Sequence, residues 1–169
     1  MDTLQRDEAL RLLDASGFVC SRDERDNMEV AGFGLGCPRQ EGAQILTLAS
    51  TDRLALKVIV LLPNQTEPEH RHVSHGGHDA KQEILRVISG EMDVYLEGTG
   101  NTAEDDIPVD SRAYYTCRHK VHLAPGEQVL IDPPAPHWFR AGAAGCVALC
   151  VSTAALDGTD QFTDPNVRR

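Results

Sequence analysis

Pro68-Glu69-His70-Arg71-His72 is the stretch on which the reading of this chain turns. Side chains two apart on an extended strand point to the same face, so His70 and His72 can present two imidazoles to one point. Glu83 follows eleven residues after His72, and a third imidazole, His137, comes much later in Pro136-His137-Trp138. If 66–72, 81–89 and 137–141 are strands of one barrel, all four side chains converge. Three neutral imidazoles and a carboxylate suit a six-coordinate divalent Mn, Fe, Co, Ni or Zn, with positions left open for substrate oxygens. The competing view is that HxH pairs arise by chance and that a His before Trp is simply packed. The ensemble favours a metal: Pro-Glu before the pair, a Gly-rich loop after it, Gly90 beyond Glu83, and a Pro-rich run before His137. His75 and His78 read as loop residues, and His119 and His122 as solvent-facing.

Outward from this stretch the pattern is all-β. Short β-type segments are expected at 43–50, 54–62, 66–72, 81–89, 91–97, 119–123, 127–131, 137–141 and 146–152. Turn signals separate them: Pro63-Asn64, Gly76-Gly77, Ser89-Gly90, Pro125-Gly126, Pro133-Pro134 and Gly142 to Gly145. Many short strands so punctuated imply a sandwich or small barrel rather than a parallel α/β sheet. Residues 98–114, rich in Asp, Gly and Thr, read as a long exposed loop. Before the strands, 3–15 is a predicted helix leaving at Gly17, and 22–28 a short turn capped by Ser21, both packed outside the sheet. Gly32-Phe-Gly-Leu-Gly36 lacks the spacing and the Lys-Ser/Thr of a phosphate loop and reads as a turn. The expected organisation is one domain over 1–169: a helical preface (1–30), a barrel (43–152) and a C-terminal tail (153–169).

Bulk properties limit the partners. The chain has 169 residues, 41% hydrophobic and 25% charged, with a net charge of −10 and no Lys/Arg cluster. Such a chain suits a small-molecule ligand and argues against nucleic acid or an anionic membrane. The cysteines (20, 37, 117, 146, 150) are odd in number and form no CxxC pair, and no greasy run is long enough to span a bilayer. A cytoplasmic protein with free thiols is the expectation.

Three further features bear on chemistry. Lys81 lies two residues before Glu83, so alternation turns it to the ligands' side as a proton shuttle or oxyanion partner. Lys57 interrupts an apolar strand, which is unusual for an interior position and would suit an edge strand that it blunts. Asp93, Tyr95 and Glu97 share one face of 91–97, which lines a pocket or meets solvent. Trp138 alternates away from His137 and either packs or offers its face to a ligand.

The HxH…E…G block with a later Pro-rich His segment resembles the two motifs of the cupin superfamily, with a longer spacer between His72 and Glu83 than in its commonest version. Pro63-Asn-Gln-Thr-Glu-Pro-Glu-His-Arg-His72, Lys81-Gln-Glu83, Tyr95-Leu-Glu-Gly98, His137-Trp-Phe139 and Phe162-Thr-Asp-Pro165 are similar to the small D-lyxose isomerase family of cupins. The resemblance implies a cupin-type jelly-roll barrel, commonly a homodimer, and a Mn²⁺-dependent aldose–ketose isomerase acting on D-lyxose and D-mannose. It also implies His70, His72, Glu83 and His137 as ligands, catalytic Lys81 and Glu97, and substrate contacts from Lys57, Tyr95 and Asp164. A departure stands beside it. Where the family carries a Glu before Ser, suited to be the general base, this chain reads Cys150-Val-Ser152, leaving Glu97, Lys81 or Cys150 to serve. An Fe²⁺ cupin dioxygenase and a non-catalytic sugar-binding cupin are the alternatives.

Overall fold

The computed structural model describes residues 2–153 and 157–169; Met1 of the expected preface and residues 154–156 of the expected tail lie outside the described residues. Helices α1 (Asp2–Ala15) and α2 (Arg22–Asp26) precede nine strands: β1 (Glu29–Ala31), β2 (Ala43–Ser50), β3 (Leu54–Leu61), β4 (Thr66–Arg71), β5 (Glu83–Leu96), β6 (His119–Leu123), β7 (Gln128–Ile131), β8 (His137–Thr153) and β9 (Gln161–Phe162). All strand pairings are antiparallel. The all-β expectation therefore holds, with the antiparallel strands curled into a half-barrel.

The curl comes from the two longest strands. β5 pairs with β8 from Glu83↔Ser152 to Leu96↔His137, with register shifts near its middle. The C-terminal half of β8 continues through β3 to β2 and β1, while its N-terminal half continues to β4 and β9. Two sheets thus share one bent β5–β8 ribbon. Their inner faces meet in a single core, where Ile45, Ile59, Leu85, Ala148 and Cys150 pack with Met92, Val94, Phe139 and Ala141.

Sequence had split this ribbon into four strands, taking Ser89-Gly90 and Gly142 to Gly145 for turns. They are bends within continuous strands. Gly90 (φ +77°) faces Gly145 (φ +81°) so closely that a Cβ on Gly90 would overlap the Gly145 carbonyl oxygen. Glycine is the residue that lets two backbones meet there and turn through a bulge.

The outer face of β2, β3 and β8 is also apolar. Leu46, Val58, Val60 and Val147 lie under Ala9 and Leu13 of α1. This explains the greasy run from Val58 to Leu61 of β3, which is buried on both faces. Ser21 caps α2 in a reciprocal capping box: its Oγ accepts from Glu24 N at 3.2 Å, and its own N–H donates to Glu24 Oε2 at 2.6 Å. Such a cap contributes about 1 kcal/mol.

The stretch 98–114 is not the open loop its composition suggests. Two 3-10 turns, Glu104–Asp106 and Arg112–Tyr114, fold it back, and Ile107 and Ser111 become buried. Ile107, Tyr115 and Cys117 then cover Tyr95 and Trp138 in a satellite core.

Candidate metal centre

Cross-strand register brings the imidazoles together. His70 on β4 stands directly opposite His137 on β8, with ring centroids 4.3 Å apart. His72, just past the end of β4, lies 5.4 Å from His70 and 4.9 Å from His137. All three are buried, and their ligand atoms fall within 4.8 Å of one another, so the triad could hold a metal ion.

The hydrogen bonds fix which nitrogen faces inward. Nδ1 of His70 lies 2.9 Å from Pro68 O, Nδ1 of His72 3.1 Å from Lys81 O, and Nδ1 of His137 3.0 Å from Ala135 O. A carbonyl only accepts, so each Nδ1 carries a proton, and in the neutral ring Nε2 presents a lone pair. Nε2 of His72 and of His137 are buried without a hydrogen-bond partner. Burial, together with the crowding of neighbouring rings, holds His70 well below its ordinary pKa. Burial likewise pushes His137 down to about 4. Neutral imidazole is the ligating form.

Glu83 completes the set. Its Oε2 lies 3.1 Å from His72 Nε2, and its Oε1 accepts the Cys150 thiol at 2.7 Å. Burial alone would raise Glu83, but His72 and Lys81 outweigh it and hold the carboxylate below the usual range. A carboxylate oxygen and an imidazole nitrogen without a proton repel unless a cation sits between them. Two donors at right angles, each ~2.1 Å from one ion, are themselves about 3 Å apart. The donor set fits a divalent ion.

Beside the triad is a cavity enclosing about 20 Å³, lined by Lys57, Glu67, Lys81, Glu83, Cys150 and Asp160 among others. Lys57 faces inward because it shares strand parity with the core residues Ile59 and Leu61. Lys81 Nζ lies 3.2 Å from Asp160 Oδ2. Cys150 and Ser152 lie on the inner face of β8, as the spacing Cys146-Ala148-Cys150-Ser152 allowed.

Glu67 was missed, and the reason is local. Strict alternation would turn it away from His70. The β4–β8 register, however, runs from Glu67↔Phe139 to His70↔His137, three residues against two. That bulge at Pro68-Glu69 returns Glu67 to the side of His70. Glu69 takes the other side, where its carboxylate accepts from Thr116 N, Cys117 N and the Thr116 and Thr163 hydroxyls. Buried Glu67 is pushed up to about 8 by desolvation; Arg169 pulls the other way and Glu83 adds to the rise. Asp160 and Arg169 were also missed, since they reach the cavity from the C-terminal segment, which carries no periodic signal.

Three expected substrate or catalytic residues stand elsewhere. Tyr95 pairs in register with Trp138, one step out of phase with Leu96↔His137, so both rings lie on the opposite face of the sheet from His137. They stack at 3.5 Å with an interplanar angle of 1°, and the indole donates to Cys117 O at 3.0 Å. Glu97 is exposed, beside a separate cleft with Glu69, Arg71 and Gln161. Asp164 closes a turn, accepting from the backbone and side-chain amides of Asn166 at 2.8 and 2.9 Å. Alternation allowed the 91–97 face to point either way. Met92 and Val94 took the core, which left Tyr95 and Glu97 outside. The five cysteines are free thiols, as their odd count implied. Among the described residues no helix is long and apolar enough to cross a membrane.

The chain is similar to known sugar isomerases in sequence and fold. It is 38% identical over 165 residues to a D-lyxose ketol-isomerase of Thermofilum sp., covering 97% of this chain and 92% of that one. It is also 38% identical to the D-lyxose/D-mannose isomerase of Thermosediminibacter oceani, covering 97% and 91%. An L-ribose isomerase of Acinetobacter sp. shares the fold with a TM-score of 0.81 at 16% identity, over 97% of this chain and 91% of that one. The L-ribose isomerase of Cellulomonas parahominis superposes with a TM-score of 0.79 at 18% identity, over 98% and 92%. The D-lyxose isomerase family model matches residues 23–169. With that match laid over a barrel holding three inward-facing imidazoles, the chain belongs to the D-lyxose isomerase family.

Proposed function

We propose that this protein is a divalent-metal-dependent aldose–ketose isomerase that interconverts D-lyxose with D-xylulose, and D-mannose with D-fructose, with Mn²⁺ as its ion. One observation carries the reading: three buried histidines whose Nδ1 atoms donate to backbone carbonyls and whose ligand atoms converge, beside Glu83, in a chain of the D-lyxose isomerase family. His70, His72, Glu83 and His137 would hold the ion, which supplies Lewis-acid polarisation of the sugar's adjacent oxygens. The cavity beside them balances the cations Lys57, Lys81 and Arg169 against the carboxylates Glu67, Glu83 and Asp160. That mixture suits a neutral polyol, which needs both donors and acceptors but carries no charge. Lys57 is positioned to bind sugar hydroxyls, and Lys81 to donate toward an oxygen that gains charge during the reaction. A homodimer in the cytoplasm accompanies this reading by resemblance to the family.

The test is direct. Purified protein supplied with Mn²⁺ should convert D-lyxose to D-xylulose without consuming oxygen, and His70→Ala should abolish the conversion. A protein that binds metal yet produces no ketose from any pentose or hexose would sink the proposal.

A further inference from the structure

We propose that Glu67, positioned by the β4 bulge, is the catalytic carboxylate that carries the proton between C2 and C1 of the sugar; the proposal rests on the isomerase reading above. Glu67 is about nine-tenths buried, and its Oε2 has no hydrogen-bond partner. It lines the same cavity as His70, Glu83, Lys57 and Lys81. A buried carboxylate oxygen without a partner is destabilising, so its retention beside a metal centre calls for a use.

Among the described residues, the carboxylates near Glu67 are already engaged. Glu83 is held against His72 and the Cys150 thiol. Asp160 is paired with Lys81. Glu69 accepts four hydrogen bonds on the far side of β4. Glu97 is on the outer surface, and Asp164 is tied to Asn166. Position 150, on the opposite wall, carries a thiol whose proton is directed at Glu83 Oε1, 2.7 Å away. A protonated thiol that donates to Glu83 is not a base. Glu67 is the group in this cavity with the chemistry and the vacant oxygen for the task.

The step balances without any co-reactant. The Glu67 carboxylate takes the proton from C2, the C2–H electron pair becomes the C1=C2 π bond, and the carbonyl π pair moves to O1. The Glu67 carboxyl then returns the same proton to C1. The O2 hydroxyl proton passes to O1, and C2 becomes the ketone. No atom is gained or lost and nothing is oxidised overall. In D₂O the carboxyl can exchange its proton before returning it, which labels C1 of the ketose.

Glu67→Gln tests the assignment. In the Mn²⁺-loaded variant we expect kcat to fall at least 100-fold, with deuterium incorporation at C1 falling in parallel. KM, sugar binding by calorimetry and Mn²⁺ stoichiometry should stay within threefold. A kcat within tenfold of the wild type would overturn the proposal, as would loss of Mn²⁺ stoichiometry, which would make Glu67 a ligand. If E67Q does not fold, Glu67→Asp withdraws the carboxylate by one methylene and should lower kcat while sparing KM; wild-type kcat in E67D would overturn it equally. Wild-type protein inert toward every aldose would remove the isomerase reading and this proposal together. Active wild type with active E67Q would remove this proposal alone.

Discussion

Nε2 of His72 and Oε2 of Glu83 face each other at 3.1 Å in a buried place. Nδ1 of His72 donates to Lys81 O, and Glu83 is held in its charged form. A cation shared between a neutral imidazole and a carboxylate this close stabilises both. The folded chain should therefore gain stability from metal. At a Mn²⁺ concentration of 100 Kd the gain is about 2.7 kcal/mol, which for a chain of this size raises Tm by roughly 5–10 °C. Thermal melts with Mn²⁺ and with EDTA should separate by that amount, and His72→Ala should erase the separation. Coincident wild-type melts would count against the site.

The legible part of this centre was set by strand parity. His70, His72 and Glu83 follow from alternation, Lys81 from its place two residues before Glu83, and His137 from a Pro-bounded strand start. Illegible features all break parity or lie off the strands. Glu67 needed the bulge at Pro68-Glu69, and the fused β5 and β8 needed the Gly90–Gly145 contact. Asp160 and Arg169 arrive on a segment whose strand pairing amounts to two residue pairs of β9. The direction of Tyr95 was undecided because Asp93-Tyr95-Glu97 and Met92-Val94-Leu96 are both plausible inner faces until a partner sheet chooses one.

That choice makes Tyr95 and Glu97 separable from catalysis. Glu97→Gln should leave kcat and KM within twofold of wild type, since the carboxylate lies on the outer surface. Tyr95→Leu should lower stability by about 2–3 kcal/mol through loss of the Trp138 stack and of packing volume, again with KM unchanged. Urea titration and initial-rate kinetics distinguish the two effects. A KM raised tenfold in either variant would return that residue to the substrate site.

Cys150 supports Glu83 rather than acting on substrate. Removing a hydrogen bond to a metal-bound carboxylate typically weakens the metal 10–100-fold. Cys150→Ala should show that loss by Mn²⁺ titration, whereas Cys150→Ser, which keeps a donor, should recover most of it. The native thiols should also divide by burial. Cys117, Cys146 and Cys150 are buried, and burial pushes Cys117 and Cys146 up to about 12. Iodoacetamide on folded protein should label Cys20 and Cys37 and spare these three, as read by mass spectrometry.

The bend between the two sheets depends on Gly90. Alanine there would be strained at φ +77° and would drive its Cβ into the Gly145 carbonyl, a backbone atom that cannot swing aside. Gly90→Ala should cost about 3 kcal/mol or more. Because β5 and β8 carry Glu83 and His137 on opposite sides of this bend, metal affinity should fall with it. Gly126→Ala is the control: it shares a positive φ, but its Cβ would meet nothing within 4 Å. It should therefore cost only the backbone strain, about 1–2 kcal/mol, with metal affinity unchanged.

The pH dependence of the metal-free protein should expose Glu67 directly. His137 is neutral when folded down to about 4, whereas unfolded histidine takes up a proton near 6.5. Its contribution is complete above pH 6.5 and is lost as pH falls toward 4, by about 3 kcal/mol. Glu67 has the opposite sign. Its folded value of about 8 lies above its unfolded value, so its contribution is complete below pH 4.5 and declines as pH rises through 8. Between pH 6.5 and 8 His70 and His137 are neutral when folded and increasingly so when unfolded, while folded Glu67 retains a proton that the unfolded chain lacks. Stability in EDTA should then fall by about 2 kcal/mol across that window, measured by urea unfolding. Glu67→Gln should flatten the decline and be the more stable protein at pH 8. A flat wild-type profile, or one that rises, would show that Glu67 is ionised in the folded chain.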